Sequence, residues 1–378
     1  MFGKSVKLFT LFGFEVKVDI SWLILAFLII WSLAKGLFPN YFKGLSIETY
    51  WWMGFIGALG LFFSIIFHEL WHSLVARKYG LPIKGITLFI FGGVAHMEEE
   101  PSSAKVELFM AIAGPASSIV LGLTFYLIMI LGKGAGWSLP VTGVIGYLAF
   151  INWILAAFNL LPAFPLDGGR VLRSALWRWK NDLRWATRIA SRIGSVFGLM
   201  LIVMGIIQFF IGSFIAGIWW FMIGMFMQGA ARSAYQQVLT RQALEGEKVR
   251  HFMKPKPVTV TTFVSIEELV EDYMYKYHFK MFPVVENDKL IGCITTRKIK
   301  EIPRSEWKSI TIGDVLDRCS SENTIDSETD IIKALAIMNQ SNNSRLMVME
   351  KDKLIGILAL KDIMKFLSIK LDLDGYEE

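Results

Sequence analysis

Before residue 230 the chain carries six long apolar runs, at 20–33, 51–76, 106–131, 141–161, 193–211 and 214–227. A helix needs about 20 mostly apolar residues to cross a bilayer. Most of the runs reach that length, and the first and last reach it with their flanks. Backbone exposed to lipid must satisfy its own hydrogen bonds, so segments of this kind are read as helices. Six membrane-spanning helices are predicted. The first run lacks a small-residue exit site and is followed by Lys35 and Pro39, unlike a cleaved leader. With 54% hydrophobic and 19% charged residues, disorder is excluded. Cys293 and Cys319 are the two cysteines, too few for a disulfide framework or a thiolate cluster. A bound metal must rely on histidine and carboxylate.

Loop charges set the predicted orientation, because Lys and Arg collect on the cytoplasmic side of short loops. With the N-terminus inside, the inner segments hold Lys4, Lys7 and Lys17, then Arg77, Lys78, Lys84 and Lys105. They continue with Arg170, Arg173, Arg178, Lys180, Arg184, Arg188 and Arg192, then Arg232 and Arg241. The outer loops hold Lys35, Lys43 and Lys133. Both termini are therefore expected in the cytoplasm. The asymmetry explains much of the basic excess behind the net charge of +6 without a nucleic-acid partner.

Past Arg241 the composition turns polar. Asp288-Lys-Leu-Ile-Gly292 recurs as Asp352-Lys-Leu-Ile-Gly356, 64 positions later. A helix-length group (266–277, 331–340) and a short apolar strand (281–285, 346–349) precede each copy, and a further strand and helix follow. A unit this small buries little surface alone, so two units sharing a core are expected. The predicted organisation is a membrane domain at 1–230, a linker at 231–246 and cytoplasmic α/β units at 247–306 and 307–378.

The second run contains His68-Glu-Leu-Trp-His72. Residues four apart share a helix face, so the two imidazoles can bind one metal with Glu69 beside them. Ionisable groups within an apolar span are costly and mark functional sites, although hydrogen-bonded helix histidines are the alternative. Two histidines leave a catalytic zinc short of its usual three protein ligands. The other carboxylate beside an apolar span is Asp167, in Asn159-Leu-Leu-Pro-Ala-Phe-Pro-Leu-Asp-Gly-Gly-Arg170. Pro162 and Pro165 break the fourth span, Gly168 and Gly169 permit a sharp turn, and such backbone is expected to line a cavity. His72 lies five residues before Arg77 and Asp167 three before Arg170, on spans running in the same direction. All three groups therefore fall at one depth. Residues 86–95 are β-branched and aromatic, then Gly-rich, which suits an edge strand able to pair with an extended substrate. A re-entrant loop beneath the helices is the alternative. His96 reads as a loop histidine, and His251 and His278 as surface or core residues.

HELWH in an apolar helix, the later NLLPAFPLDGG, Gly92-Gly-Val94 and Ala113-Gly-Pro115 together resemble the site-2 proteases, membrane-embedded zinc metalloproteases of regulated intramembrane proteolysis. The resemblance covers about residues 1–230. It is closest to the subgroup with six helices, a small β-strand insertion and a C-terminal pair of CBS domains, which the repeat at about 247–370 resembles. It implies one zinc ion per chain held by His68, His72 and Asp167, with Glu69 as catalytic acid and base. It also implies Asn159 as a substrate or oxyanion contact, while the edge-strand reading of residues 86–95 makes Gly92, Gly93 and Val94 the expected substrate-binding residues. A transmembrane protein substrate in the lipid bilayer of the cell membrane is implied as well. Ser118 departs from the pattern, standing where many members carry Asn. CBS pairs often form dimers and bind adenine nucleotides through a hydroxyl and an Asp three residues further on. Here the first copy has Thr295 with Lys298, and the second Asp362 with Ala359, so each keeps half of the pair.

Two other classes fit parts of the pattern. A CBS-regulated transporter or channel would spread ionisable groups across the bilayer, whereas here they gather at one level. A scaffold with structural zinc would have no use for Glu69.

Overall fold

The computed structural model describes residues 5–89, 92–97, 101–287 and 289–373; the side chains of Lys84 and of residues 94–97, and Asp288 altogether, lie outside this set. The chain divides into two compact units, Met1–Val238 and Leu239–Glu378.

The first unit opens with strands β1 (Ser5–Leu11) and β2 (Phe14–Asp19). Phe12 and Gly13 join them with φ of 49° and 87°. Positive φ at both central residues matches the right-handed twist of a two-residue hairpin, and Gly13 supplies one of them without strain. Helix α1 (Ile20–Ser32) starts where Asp19 accepts a hydrogen bond from the Ser21 N–H at 2.9 Å. It continues through a π-helical turn and α2 (Phe38–Tyr41). Ser46 then caps α3 (Ile47–Lys78), and strands β3 (Ile83–Phe89) and β4 (Gly92–Met97) follow. Helices α4 (Ala104–Gly134), α5 (Leu139–Asn159), α6 (Asp167–Lys180), α7 (Leu183–Phe210) and α8 (Phe214–Leu244) complete the unit. Ser103 and Asp182 cap α4 and α7 through their side-chain oxygens.

Among the described residues, six helical segments, of 22, 32, 31, 21, 28 and 31 residues, are long and apolar enough to cross a membrane. At a rise of about 1.5 Å per residue each reaches about 30 Å or more. Their outer faces leave Phe27, Val120, Val196 and Ile207 exposed, a surface suited to lipid and not to water.

Residues 86–95, expected as one strand, contribute to two: β3 and β4 pair antiparallel with Thr87 opposite Val94 and Leu88 opposite Gly93. The sheet order is β1-β2-β3-β4, so β4 lies at an edge. His96, expected in a loop, falls within β4. The segment 231–244, free of Gly and Pro and rich in Ala, Arg and Gln, continues α8 where a linker was expected.

The second unit holds two sheets. One runs β5-β11-β10-β9, from Lys254–Pro255, Lys353–Ala359, Arg345–Glu350 and Thr324–Asp326; the other runs β6-β7-β8, from Met281–Glu286, Lys289–Thr295 and Asp317–Arg318. Helices at 266–277, 331–341 and 360–373 pack their apolar faces on these sheets, giving two cores centred on Leu346, Val348 and Leu358, and on Phe282, Val284 and Ile294. The repeat thus becomes two strand–helix layers.

Candidate active site

The two histidines lie one turn apart on α3, their faces fixed by helical periodicity. Asp167 reaches them from a different helix. Pro162 and Pro165 end α5 at Asn159, and the short segment that follows delivers Asp167 as the first residue of α6. Gly168 and Gly169, expected at a sharp turn, are instead helical and buried. Their value is close approach: a Cβ on Gly168 would overlap the Leu160 and Leu161 carbonyls, and one on Gly169 would meet the backbone at Ala163 and Phe164. The loop folds directly over the start of α6 because these two positions have no side chain.

Nε2 of His68 stands 3.0 Å from Asp167 Oδ2, Nε2 of His72 stands 3.2 Å from the same oxygen, and the two Nε2 atoms are 3.2 Å apart. Ligands bonded at about 2.0–2.1 Å to a tetrahedral ion lie about 3.3–3.4 Å apart, so this triangle closely matches one face of such a site. The donor chemistry agrees. His72 Nδ1 donates to the Met110 carbonyl at 2.6 Å, so in the neutral ring the lone pair is on Nε2, the atom that faces a carboxylate oxygen. A cation bound there would hold these atoms together at that distance. His68 Nδ1 is fixed by Ser118 Oγ at 2.9 Å. Both rings therefore carry the outer partner that orients a metal-binding imidazole.

Helix α4 backs the triangle. Met110 and Ser118 hold the rings, and between them Gly114 lies so close that a Cβ there would overlap both Nε2 atoms. Sequence reasoning marked Ser118 only as a departure and passed over Met110, which acts through its carbonyl and leaves no side-chain signature.

Beside the triangle opens a cavity of about 680 Å³ lined by His68, Glu69, Gly92, Gly93, Asn159 and Pro165 among mostly apolar side chains. Glu69 is half-buried. Asn159 Nδ2 donates to the Leu155 carbonyl at 3.0 Å. Of the expected substrate residues, Gly92 and Gly93 reach the cavity, and the side chain of Val94 lies outside the described residues, as does that of His96.

Arg173, counted in the sequence among inner-loop charges, is buried in α6 against Glu107. In the second unit a cavity of about 400 Å³ is lined by Lys280, Thr295, Arg297, Arg318 and Arg345 among others, without Asp362. Thr295 Oγ1 accepts from the Lys298 N–H, capping the helix at Thr296–Ile299. Asp362 lies 3.4 Å from Lys254 Nζ. Thr295 and Asp362 are thus at different places in the pair.

A bundle of membrane-length helices holding a His-His-Asp triangle beside a glutamate defines a multi-pass membrane protein of the metallopeptidase class. Residues 56–140 and 132–204 match the family model described as peptidase family M50, and residues 249–304 and 310–369 match that of the CBS domain. The zinc metalloprotease MJ0392 of Methanocaldococcus jannaschii is 33% identical over 370 residues, covering 97% of this chain and 96% of its own. Rip3 of Mycobacterium tuberculosis is 32% identical over 367 residues, covering 97% and 93%. A solved site-2 protease from Methanocaldococcus jannaschii is similar at 29% identity and a TM-score of 0.44, over 61% of this chain and 95% of its own. The chain belongs to peptidase family M50, the site-2 proteases, with a C-terminal CBS pair, and is a zinc metalloprotease.

Proposed function

We propose that the chain is an intramembrane endopeptidase that hydrolyses a peptide bond in or near a membrane-spanning segment of a protein substrate, as in regulated intramembrane proteolysis. The observation that carries this reading is the ligand triangle set beside Glu69 in a cavity walled by membrane-length helices. His68, His72 and Asp167 would hold one zinc ion. Zinc, when bound, supplies Lewis-acid polarisation of the scissile carbonyl and of water.

The chain's own groups do the rest. Glu69 takes the proton from the attacking water and returns it to the leaving amine. Asn159 has one amide hydrogen engaged by Leu155, and the other is available to the developing oxyanion. A helical substrate hides its peptide bonds, so it must be cleaved extended. Strand β4 is an edge whose Gly92 and Gly93 line the cavity, and a segment adding to it would run past Glu69.

Both termini are assigned to the cytoplasm. The CBS pair is assigned a role in regulating cleavage or docking substrate, and in bringing two copies together. Its cationic cavity suits the phosphates of an adenine nucleotide, with Thr295 contacting the ligand there and Asp362 belonging to the second copy's half of the pattern.

Glu69→Gln tests the peptidase. Zinc content by elemental analysis should stay at one per chain while cleavage of a reconstituted transmembrane substrate falls at least ~100-fold. Cleavage at the native rate would remove Glu69 from the mechanism. Proteomics comparing cells with native and Glu69→Gln enzyme would then show which membrane proteins persist uncut.

A further inference from the structure

Outside the ligand triangle, the first unit buries a pair of opposite charges against each other. Glu107, one turn into α4, is 1% exposed and Arg173, well inside α6, is 3% exposed. Arg173 Nε donates to Glu107 Oε1 at 2.6 Å, and Nη2 converges on the same oxygen. The guanidinium carbon also stands 5.3 Å from the centre of the Phe164 ring.

A buried ion pair is weak evidence for stability, because desolvating both groups offsets most of their attraction. Register is the better explanation, and the geometry says of what. Residues 107, 110, 114 and 118 share one face of α4. Along that face Glu107 meets Arg173, the Met110 carbonyl meets His72, Gly114 meets both imidazoles and Ser118 meets His68. Helix α4 is thus a plate holding the histidines of α3 at one end and α6 at the other. Asp167 is the one ligand of the triangle that does not come from α3, and its placement depends on where α6 starts. Phe164, under the Arg173 guanidinium, belongs to the loop that delivers Asp167. One arginine therefore ties together plate, loop and ligand helix. A planar guanidinium can direct two N–H groups to a carboxylate while stacking on a ring, which an ammonium cannot do.

We infer that Glu107 and Arg173 are positioning residues that hold the Asp167 carboxylate at ligand distance from His68 and His72. This rests on the metal reading of the triangle, and the test separates the two. Full-length chain in detergent or nanodiscs, stripped of metal, is titrated with Co(II), whose visible absorption reports coordination. The native chain should show the intense bands of a low-coordinate site, altered in Asp167→Ala. Glu107→Gln and Arg173→Met, eluting as folded protein, should bind Co(II) about 10- to 100-fold more weakly, with spectra shifted towards that of Asp167→Ala. Arg173→Lys should fall between native and Arg173→Met. A folded Glu107→Gln with native Co(II) affinity and spectrum overturns the inference. Where that variant does not fold, Arg173→Lys decides in its place, and native affinity and spectrum there overturn it equally. A native chain that takes up no Co(II) sinks the metal reading itself, a result distinct from native uptake that the variants leave unchanged.

Discussion

Gly114 is the residue on which the metal centre is least tolerant. A backbone position without a Cβ lets α4 approach until both Nε2 atoms lie where a methyl group would sit. The demand is for space: Gly114 lies within regular helix and its φ is not positive. Gly114→Ala should therefore leave the helices intact, since Ala is the better helix former by about 1 kcal/mol, while the imidazoles are pushed out of register with Asp167. Zinc content should fall well below one per chain, with helical content by circular dichroism unchanged. Full zinc occupancy in Gly114→Ala would show that α3 and α4 are not held at this spacing.

Among the elements, β4 faces the chemistry through its backbone. A Cβ on Gly93 would lie 2.7 Å from Glu69 Cγ, so the strand's backbone forms the wall against which the glutamate rests. Gly93→Ala should displace Glu69 by something near an ångström, and misplacement on that scale costs about 100-fold in rate. Zinc content should not change, because what an added Cβ meets first is Glu69, which is not one of the three ligands. Measuring kcat beside metal content separates this wall from the ligand plate, and native kcat would place Glu69 elsewhere. What was readable in the sequence at this scale was what local spacing encodes. The apolar runs, the i,i+4 histidines and the repeated strand–helix order all rest on short-range periodicity. The β1–β2 hairpin escaped notice because its alternation is brief and abuts a much longer apolar run. Arg173 passed for a loop charge because its partner lies 66 positions away, and the roles of Gly168 and Gly169 depended on a backbone crossing that no local pattern records.

For the whole molecule, the topology proposed above puts both ends on one side of six spans, with the concentration of Arg and Lys as the argument for the cytoplasm. The two cysteines make this measurable without added probes in the second unit. Cys293 is buried and burial pushes its thiol up to about 12, so it is a poor nucleophile at any ordinary pH. Cys319 is exposed, with its pKa also raised by partial burial. Only the thiolate reacts, so a raised pKa means slow labelling at neutral pH that accelerates as pH rises. A membrane-impermeant maleimide should leave the chain unlabelled in intact cells and label it once after permeabilisation, faster at pH 8.5 than at pH 7. Cys319→Ser should abolish that signal. Lys43→Cys, in an exposed loop between the first two spans, should label in intact cells. Labelling of Cys319 without permeabilisation would invert the topology. The inverted chain would set the CBS pair outside the cell, away from the cytoplasmic nucleotides proposed for its cavity.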